Sequence, residues 1–320
     1  MPTHSTKSLS WKPSLVYVPD ATGKGGHLRG GDQEILPLSD VENPKLLRCL
    51  VDAFNRKPSW TSSALATACD SSGSQAEQFN SMLATLIAQG CIIESDVFDY
   101  NNKLHRFLIQ QDLYSDTLVE KIQATPVYIW SRHPDAVRIV SLAQAYGFNA
   151  TCGEQAPESK PDIIIAFGSF VSDPLFQQIN IHALQHRQPW ILLRQSGMDL
   201  AQIGPLFTPF TTGCYGCLQQ RMLGQREHGN YYHDFQQQNY DELVNLWLES
   251  DFSTCVERVL REIVFFVVHP FALSLVGQSV YRNLMTQAEQ REMLLKLPYC
   301  PSCGLDQAEN NMSLAPVALV

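Results

Sequence analysis

Two Cys-x-x-Cys elements, Cys214-Tyr-Gly-Cys217 and Cys300-Pro-Ser-Cys303, constrain the fold of this chain more than any other feature. Four thiolates brought to one point make a closed tetrahedral site. Zn2+ suits it best, because four soft sulfurs leave no position open for water or substrate. Such a metal is structural, and it ties the carboxyl end of the chain to a point two-thirds of the way along it. Gly213, Gly216, Pro301 and Gly304 flank the pairs and permit the tight backbone knuckles that aim two sulfurs at one ion. Two redox pairs or two disulfides are the alternatives. A thioredoxin-type pair opens a helix after a strand, whereas Cys300 lies in a proline-flanked turn.

The other five cysteines, Cys49, Cys69, Cys91, Cys152 and Cys255, are scattered in apolar or helical stretches and read as reduced core residues of a cytoplasmic protein. With 320 residues, 44 % of them hydrophobic, the chain can build two or three packed domains. Its net charge of −9 argues against a nucleic-acid or anionic-membrane surface over the whole molecule. Met1 to Ser10 is polar and carries no secretory signal. The most apolar run, Ile263 to Gly277, is broken by His269-Pro270. It is too short for a membrane span and reads as a buried or interface helix, which makes self-association an expectation.

The N-terminal third reads as a small α+β unit. Leu15 to Val18, His27 to Gly30 and Gln33 to Leu38 are strand candidates, with Gly23, Gly25 and Gly26 in a hairpin turn and Asp32 in the next turn. Three helices follow. Asn43 caps the first, with Pro44 at its first position and Leu46, Leu47, Leu50 and Phe54 as its stripe. The second covers Ser59 to Asp70. The third covers Ser74 to Gln89, with Ser74 and Glu77 at capping-box spacing and Gly90 at its end. Cys91 to Glu94 and Leu104 to Ile109 read as two wing strands. The pattern is that of a winged helix-turn-helix. It is an unusual DNA reader, because the third helix contains no Lys or Arg, and residues 1–110 hold ten basic against eleven acidic side chains.

The middle third alternates strand and helix in the doubly wound manner. Val127 to Trp130, Asp162 to Phe167 and Trp190 to Leu193 are continuous apolar strands. Asp135 to Tyr146 is a helix with Val137, Val140, Leu142 and Ala143 on its apolar side and Gly147 as C-cap, and Leu175 to Arg187 is another. A nucleotide-binding version would carry Gly-x-Gly-x-x-Gly after the first strand. Here that turn is Ser131-Arg132-His133-Pro134, and no phosphate loop with its lysine occurs anywhere. Gly168-Ser169 offers a few anion contacts at most. His182 and His186, four apart on a helix, lack a third ligand, and Tyr231 to Asp234 forms a polar aromatic cluster without a mechanism.

Thr211 to Arg221, taken with Leu297 to Gly304, resembles the zinc signature of E1-like (ThiF-like) proteins. Within that group it is most similar to the subunit serving azoline cyclodehydratases, as in microcin B17-type synthases. Those systems turn Cys, Ser and Thr of a ribosomal precursor peptide into thiazole and oxazole rings. The resemblance implies a fold: a winged-helix leader-recognition element over residues 1–112, then a degenerate E1-like, Rossmann-like parallel-sheet domain over 113–320 with a four-cysteine zinc site. It implies Cys214, Cys217, Cys300 and Cys303 as zinc ligands. It implies a leader peptide added as a strand near Glu34, Ile35 and Leu36, facing Phe79, Leu83 and Leu86, whose apolar spacing on the third helix equally suits the core. It implies partners as well: the precursor's leader, a YcaO-type subunit that uses ATP, and a flavin-dependent azoline dehydrogenase, so that ATP and FMN belong to partner subunits. The chain itself is then a non-catalytic scaffold with no nucleotide site. Two other readings remain open at this stage. One is an adenylating E1-like enzyme acting on a carboxylate, and the other is a zinc-containing winged-helix regulator.

Overall fold

A computed structural model describes residues 7–12, 15–19, 26–30, 33–38, 43–71, 75–99, 101–197, 199–224 and 247–304. The chain forms two compact units, Met1–Val119 and Glu120–Val320.

The first unit has two three-stranded antiparallel sheets. One orders β5 (Ser59–Thr61), β1 (Ser8–Trp11) and β6 (Ile92–Glu94); the other orders β2 (Leu15–Pro19), β3 (Gly26–Gly30) and β4 (Gln33–Leu38). Helices α1 (Pro44–Arg56), α2 (Ser62–Ala68) and α3 (Gln75–Ala88) complete it with α4 (Lys103–Gln110). The caps are as chemistry prescribes. Asn43 Oδ1 accepts from Leu46 N at 3.1 Å, with Pro44 in the first turn. Gly90 ends α3 in the left-handed region, at φ +70°. Leu46, Leu47, Leu50 and Phe54 of α1 meet Leu9, Trp11, Leu15, Leu28 and Leu65 in one core.

The sequence reading of this unit needs three corrections. Leu104 to Ile109 is helix α4 and not a wing strand. Asn102 Oδ1 caps it by accepting from Leu104 N at 2.9 Å and His105 N at 3.3 Å, and Leu104, Phe107 and Leu108 bury one face at helical spacing. The strand β6 pairs instead with β1, a segment read only as a polar start; Leu9 and Trp11 point from it into the core. Ser59 to Thr61 is a strand, and α2 begins at Ser62, where Thr61 Oγ1 accepts from Ala64 N at 3.3 Å. Ser74, the glycine turn before Gly26, and Asp32 lie outside the described residues. Helix α5 (Asp116–Ala124) carries the chain from the first unit into the second.

The second unit is a mixed α/β layer with a seven-stranded sheet ordered β13-β12-β11-β10-β9-β7-β8. The parallel part is β7 (Pro126–Trp130), β8 (Asn149–Gly153), β9 (Ile163–Ser169) and β10 (Trp190–Gln195). Beyond β10 the order turns antiparallel through β11 (Leu200–Phe207), β12 (Gln278–Asn283) and β13 (Glu289–Met293). Every residue of β9 and β10 is buried, as a sheet covered on both faces requires. Helix α6 (Ala136–Ala145) and α9 (Glu249–Val268) pack with one another, and α7 (Asp173–His186) packs with α8 (Tyr215–Gly224). On α6 the buried positions are Ala136, Ile139 and Ala143, while Val137 is 59 % exposed. Of the predicted stripe Ala143 is buried, Val140 and Leu142 are half-buried and Val137 alone faces outward, while Ile139, left out of that stripe, is fully buried.

In α9, Ile263 and Val264 are buried and Phe265 to Val268 are half-buried. No described helix is long and apolar enough to cross a membrane. Of the five scattered cysteines, Cys69, Cys91 and Cys255 are buried; burial pushes the Cys69 and Cys255 thiols up to about 12 and raises Cys91. Cys152 departs from the core expectation. It is exposed because its strand β8 closes the sheet edge and turns that residue outward.

Candidate metal centre

The loop after β11 delivers Cys214 and Cys217 to the amino end of α8, and the turn after β13 delivers Cys300 and Cys303. All four are buried, and their sulfurs lie within 4.8 Å of one another. The Cys214–Cys217 separation is 3.9 Å, and the Cys214–Cys300 and Cys217–Cys303 separations are both 3.6 Å. A tetrahedral zinc with sulfurs at about 2.3 Å spaces them by about 3.8 Å. A disulfide would need about 2.05 Å, and all four cysteines are free. Among the described residues this is the one group of three or more His, Cys, Asp or Glu able to share an ion.

The surroundings fit thiolates. The amino end of α8 turns its partial positive charge to the first pair, and Leu297 N donates to Cys217 Sγ at 3.4 Å. The S–H of Cys214 held against Cys217 raises the Cys214 thiol, and the same contact holds Cys217 well below the ordinary thiol range. A dication resolves this by neutralising charge that burial penalises.

Three glycines let the knuckles close. A Cβ on Gly216 would stand 3.5 Å from both Cys214 Sγ and Cys300 Sγ and 3.0 Å from Ser302 Oγ. On Gly213 it would lie 2.9 Å from Leu294 Cγ. On Gly304 it would lie 2.6 Å from the carbonyl oxygen of Cys300, which accepts from Gly304 N at 2.7 Å. Gly304→Ala is therefore expected to open the second knuckle. Zinc retention under chelator challenge should fall, and equal retention in both proteins would show that the turn gives way.

Sequence reasoning missed what lies beneath the first knuckle. Arg194, 1 % exposed, donates from Nη1 to Asp173 Oδ1 at 3.2 Å and from Nε to Gln202 Oε1 at 2.8 Å. Tyr215 donates its hydroxyl to Asp173, and Asn180 Oδ1 accepts from Tyr215 N at 3.0 Å. The one available signal was a charge appended to an apolar run, Trp190 to Leu193 followed by Arg194.

The crevice at the carboxyl end of β7, where strand order reverses and such sheets bind ligands, is occupied by the protein's own groups. His133 N donates to Ser131 Oγ at 2.9 Å, and Asp135 N donates to His133 Nδ1 at 3.1 Å. The His133 ring sits 5.1 Å from Phe167, which meets Phe252 at 5.8 Å, and the Arg138 guanidinium lies 4.2 Å over Phe252. After β9, Ser169 N donates to Ser172 Oγ at 2.8 Å and Val171 N to Ser169 Oγ at 3.4 Å. Gly168 is a packing glycine there, since a Cβ would run into Ser172 and reach 3.2 Å from Phe176 Cζ.

Of the residues assigned to a leader peptide, Glu34, Ile35 and Leu36 lie in β4. Leu36 stands opposite Leu28 and Glu34 opposite Arg29, with the register shift falling at Ile35. Among the described residues β4 is an edge strand. Phe79, Leu83 and Leu86 are buried in the core of the same unit. The rings of His182 and His186 lie 4.4 Å apart beside Trp130, and burial first, then His186, lowers the His182 pKa. Tyr231 to Asp234 lies outside the described residues.

These elements define a mixed α/β architecture with a parallel-rich sheet, and the same fold occurs in solved heterocyclases and in MccB. A heterocyclase solved in complex with substrate and cofactor superposes with a TM-score of 0.71 at 20 % identity, over 98 % of this chain and 42 % of that one. The heterocyclase TruD gives 0.67 at 20 % identity, over 98 % and 45 %. E. coli MccB gives 0.54 at 15 % identity, over 93 % and 97 %. The likeness is one of fold, and the chain spans less than half the length of the two heterocyclases. No protein-family model matches the sequence, and no curated protein does.

Proposed function

We propose that this chain is the peptide-holding, zinc-stapled scaffold of an azoline-forming heterocyclase. The observation that carries the reading is the match of 98 % of the chain to a part, 42 % and 45 %, of two heterocyclases. In this reading a YcaO-type partner uses ATP to activate the backbone amide, and a flavin dehydrogenase with FMN oxidises the ring. The chain contributes a winged-helix-like element whose β4 edge, at Glu34, Ile35 and Leu36, takes the leader as an added strand, with the α3 face of Phe79, Leu83 and Leu86 behind it. An unpaired edge supplies backbone donors and acceptors, and holding the leader raises the local concentration of the core segment at the partner's active site. Zn2+ held by Cys214, Cys217, Cys300 and Cys303 supplies structural cross-linking and takes no part in the reaction.

The test is reconstitution. Precursor peptide, YcaO-type partner and ATP should lose one water per ring only when this chain is present, and the chain alone should turn over no ATP. Ring formation at full rate without the chain would sink the proposal. Ile35→Pro takes one backbone N–H out of β4 and should weaken leader binding about tenfold, the equivalent of one or two backbone hydrogen bonds at about 1 kcal/mol each. Fluorescence anisotropy of a labelled leader reads this directly, and unchanged affinity would reject that edge.

The fold shared with MccB favours one competing reading, a chain that adenylates a carboxylate. The side chains that take up the donors after β7 count against it. Pyrophosphate exchange by the isolated chain would decide in its favour.

A further inference from the structure

Tyr215 stands between the two cysteines of the first pair and is buried to 1 % exposure. Both of its polar ends are fixed. The backbone N–H donates to Asn180 Oδ1 of α7 at 3.0 Å. The hydroxyl donates to Asp173 at the start of α7 and accepts from Arg194 Nη1 of β10 at 3.3 Å. The network runs on from Arg194 Nε to Gln202 and from Gln202 Nε2 to Ser279 Oγ at 3.0 Å, which reaches β12. The ring packs against Phe176 at 5.7 Å and Trp190 at 6.1 Å. Cys214 precedes this anchored residue and Cys217 lies two positions after it, so a displacement of Tyr215 carries both sulfurs with it.

We propose that Tyr215 is a positioning residue for the metal centre, and that its hydroxyl couples occupancy of the four-cysteine site to the buried Arg194–Asp173 pair. The inference rests on the reading of the cysteines as a zinc site. The physical reason is shared geometry. An ion that fixes the knuckle holds the Tyr215 hydroxyl on Asp173, and so completes the hydrogen bonding of a carboxylate that is 1 % exposed. When the knuckle relaxes, the ion pair loses that partner. The coupling is reciprocal by linkage, so weakening the polar network must weaken zinc binding. The residue acts through the backbone of the ligands and not through a bond to the ion.

The experiment compares wild type with Tyr215→Phe, which keeps the ring and drops only the hydroxyl. Zinc content is measured first, then the rate of zinc loss to a chelator, then melting temperatures of the loaded and stripped proteins. The expected result is one zinc per wild-type chain, loss about tenfold faster or more from Tyr215→Phe, and a smaller gain in melting temperature on loading. If the variant loses zinc at the wild-type rate and is destabilised equally with and without metal, the hydroxyl is merely structural and the proposal fails. A wild-type chain that takes up no zinc overturns the cysteine reading itself, and that outcome is recognised before any variant is compared. Asn180→Ser shortens the acceptor at the other anchor of Tyr215. It should also speed zinc loss, and wild-type retention in it would count against the proposal even if Tyr215→Phe failed to fold.

Discussion

Cys300→Ser is expected to abolish stoichiometric zinc and to leave the second unit as unstable as chelator treatment leaves the wild type. Structural zinc is worth about 10–16 kcal/mol in small zinc domains, as much as the whole folding stability of an ordinary domain, about 5–15 kcal/mol. A shared ion would join the turn after β13 to the start of α8, and Cys214, Cys217, Cys300 and Cys303 share a core with Trp190, Phe207 and Leu218. Metal analysis and calorimetry with and without chelator check this, and Cys152→Ser, at an exposed position outside the cluster, is the control. Acid should mimic the variant. Ligation needs thiolates, so metal binding releases protons and affinity falls as pH falls. A melt unchanged by Cys300→Ser, or zinc retention that rises in acid, would overturn the four-sulfur site.

Asp173→Ala should be nearly as damaging, for a different reason. It removes the carboxylate that faces the Arg194 guanidinium, 2 % exposed at the side chain. Removing one member of a buried ion pair costs about 3–5 kcal/mol, because the other charge remains desolvated. At about 2–4 °C per kcal/mol for a unit of this size, the melting temperature should fall by roughly 6–20 °C. Adding Arg194→Met should recover part of the loss, since an apolar side chain of similar length needs no counter-charge. A double variant no more stable than Asp173→Ala would show that the arginine's hydrogen bonds to Gln202 matter more than its charge.

The cysteine pairs were legible because a Cys-x-x-Cys spacing bracketed by glycine and proline has few other uses. The parallel strands were legible too. Ile163 to Phe167 and Trp190 to Leu193 are uninterrupted apolar runs, and only a sheet covered on both faces has room for them. The antiparallel half was not. Strands β12 and β13 have no apolar alternation to read; all of β13 is exposed, and its place is set by pairing with β12. Leu104 to Ile109 was misread because a short apolar run fits either period; the deciding signal was Asn102, two residues upstream. On α6 the error lay in choosing Val137 over Ile139, a one-face ambiguity that only the sheet beneath resolves. The polar network under Tyr215 showed only in Arg194 following an apolar run, because Asp173, Asn180, Arg194 and Gln202 share no motif and meet only in the fold.

The self-capped bend that leaves β7 bears on reversibility. Anion capture there would require freeing the amide hydrogens that Ser131 and His133 now accept, and clearing the aromatic wedge made by Phe167 and Phe252. No single substitution accomplishes both, and each intermediate step forfeits packing without gaining a ligand. A designer wishing to seat an anion at this bend would have to replace the Ser131 and His133 acceptors and the aromatic wedge together.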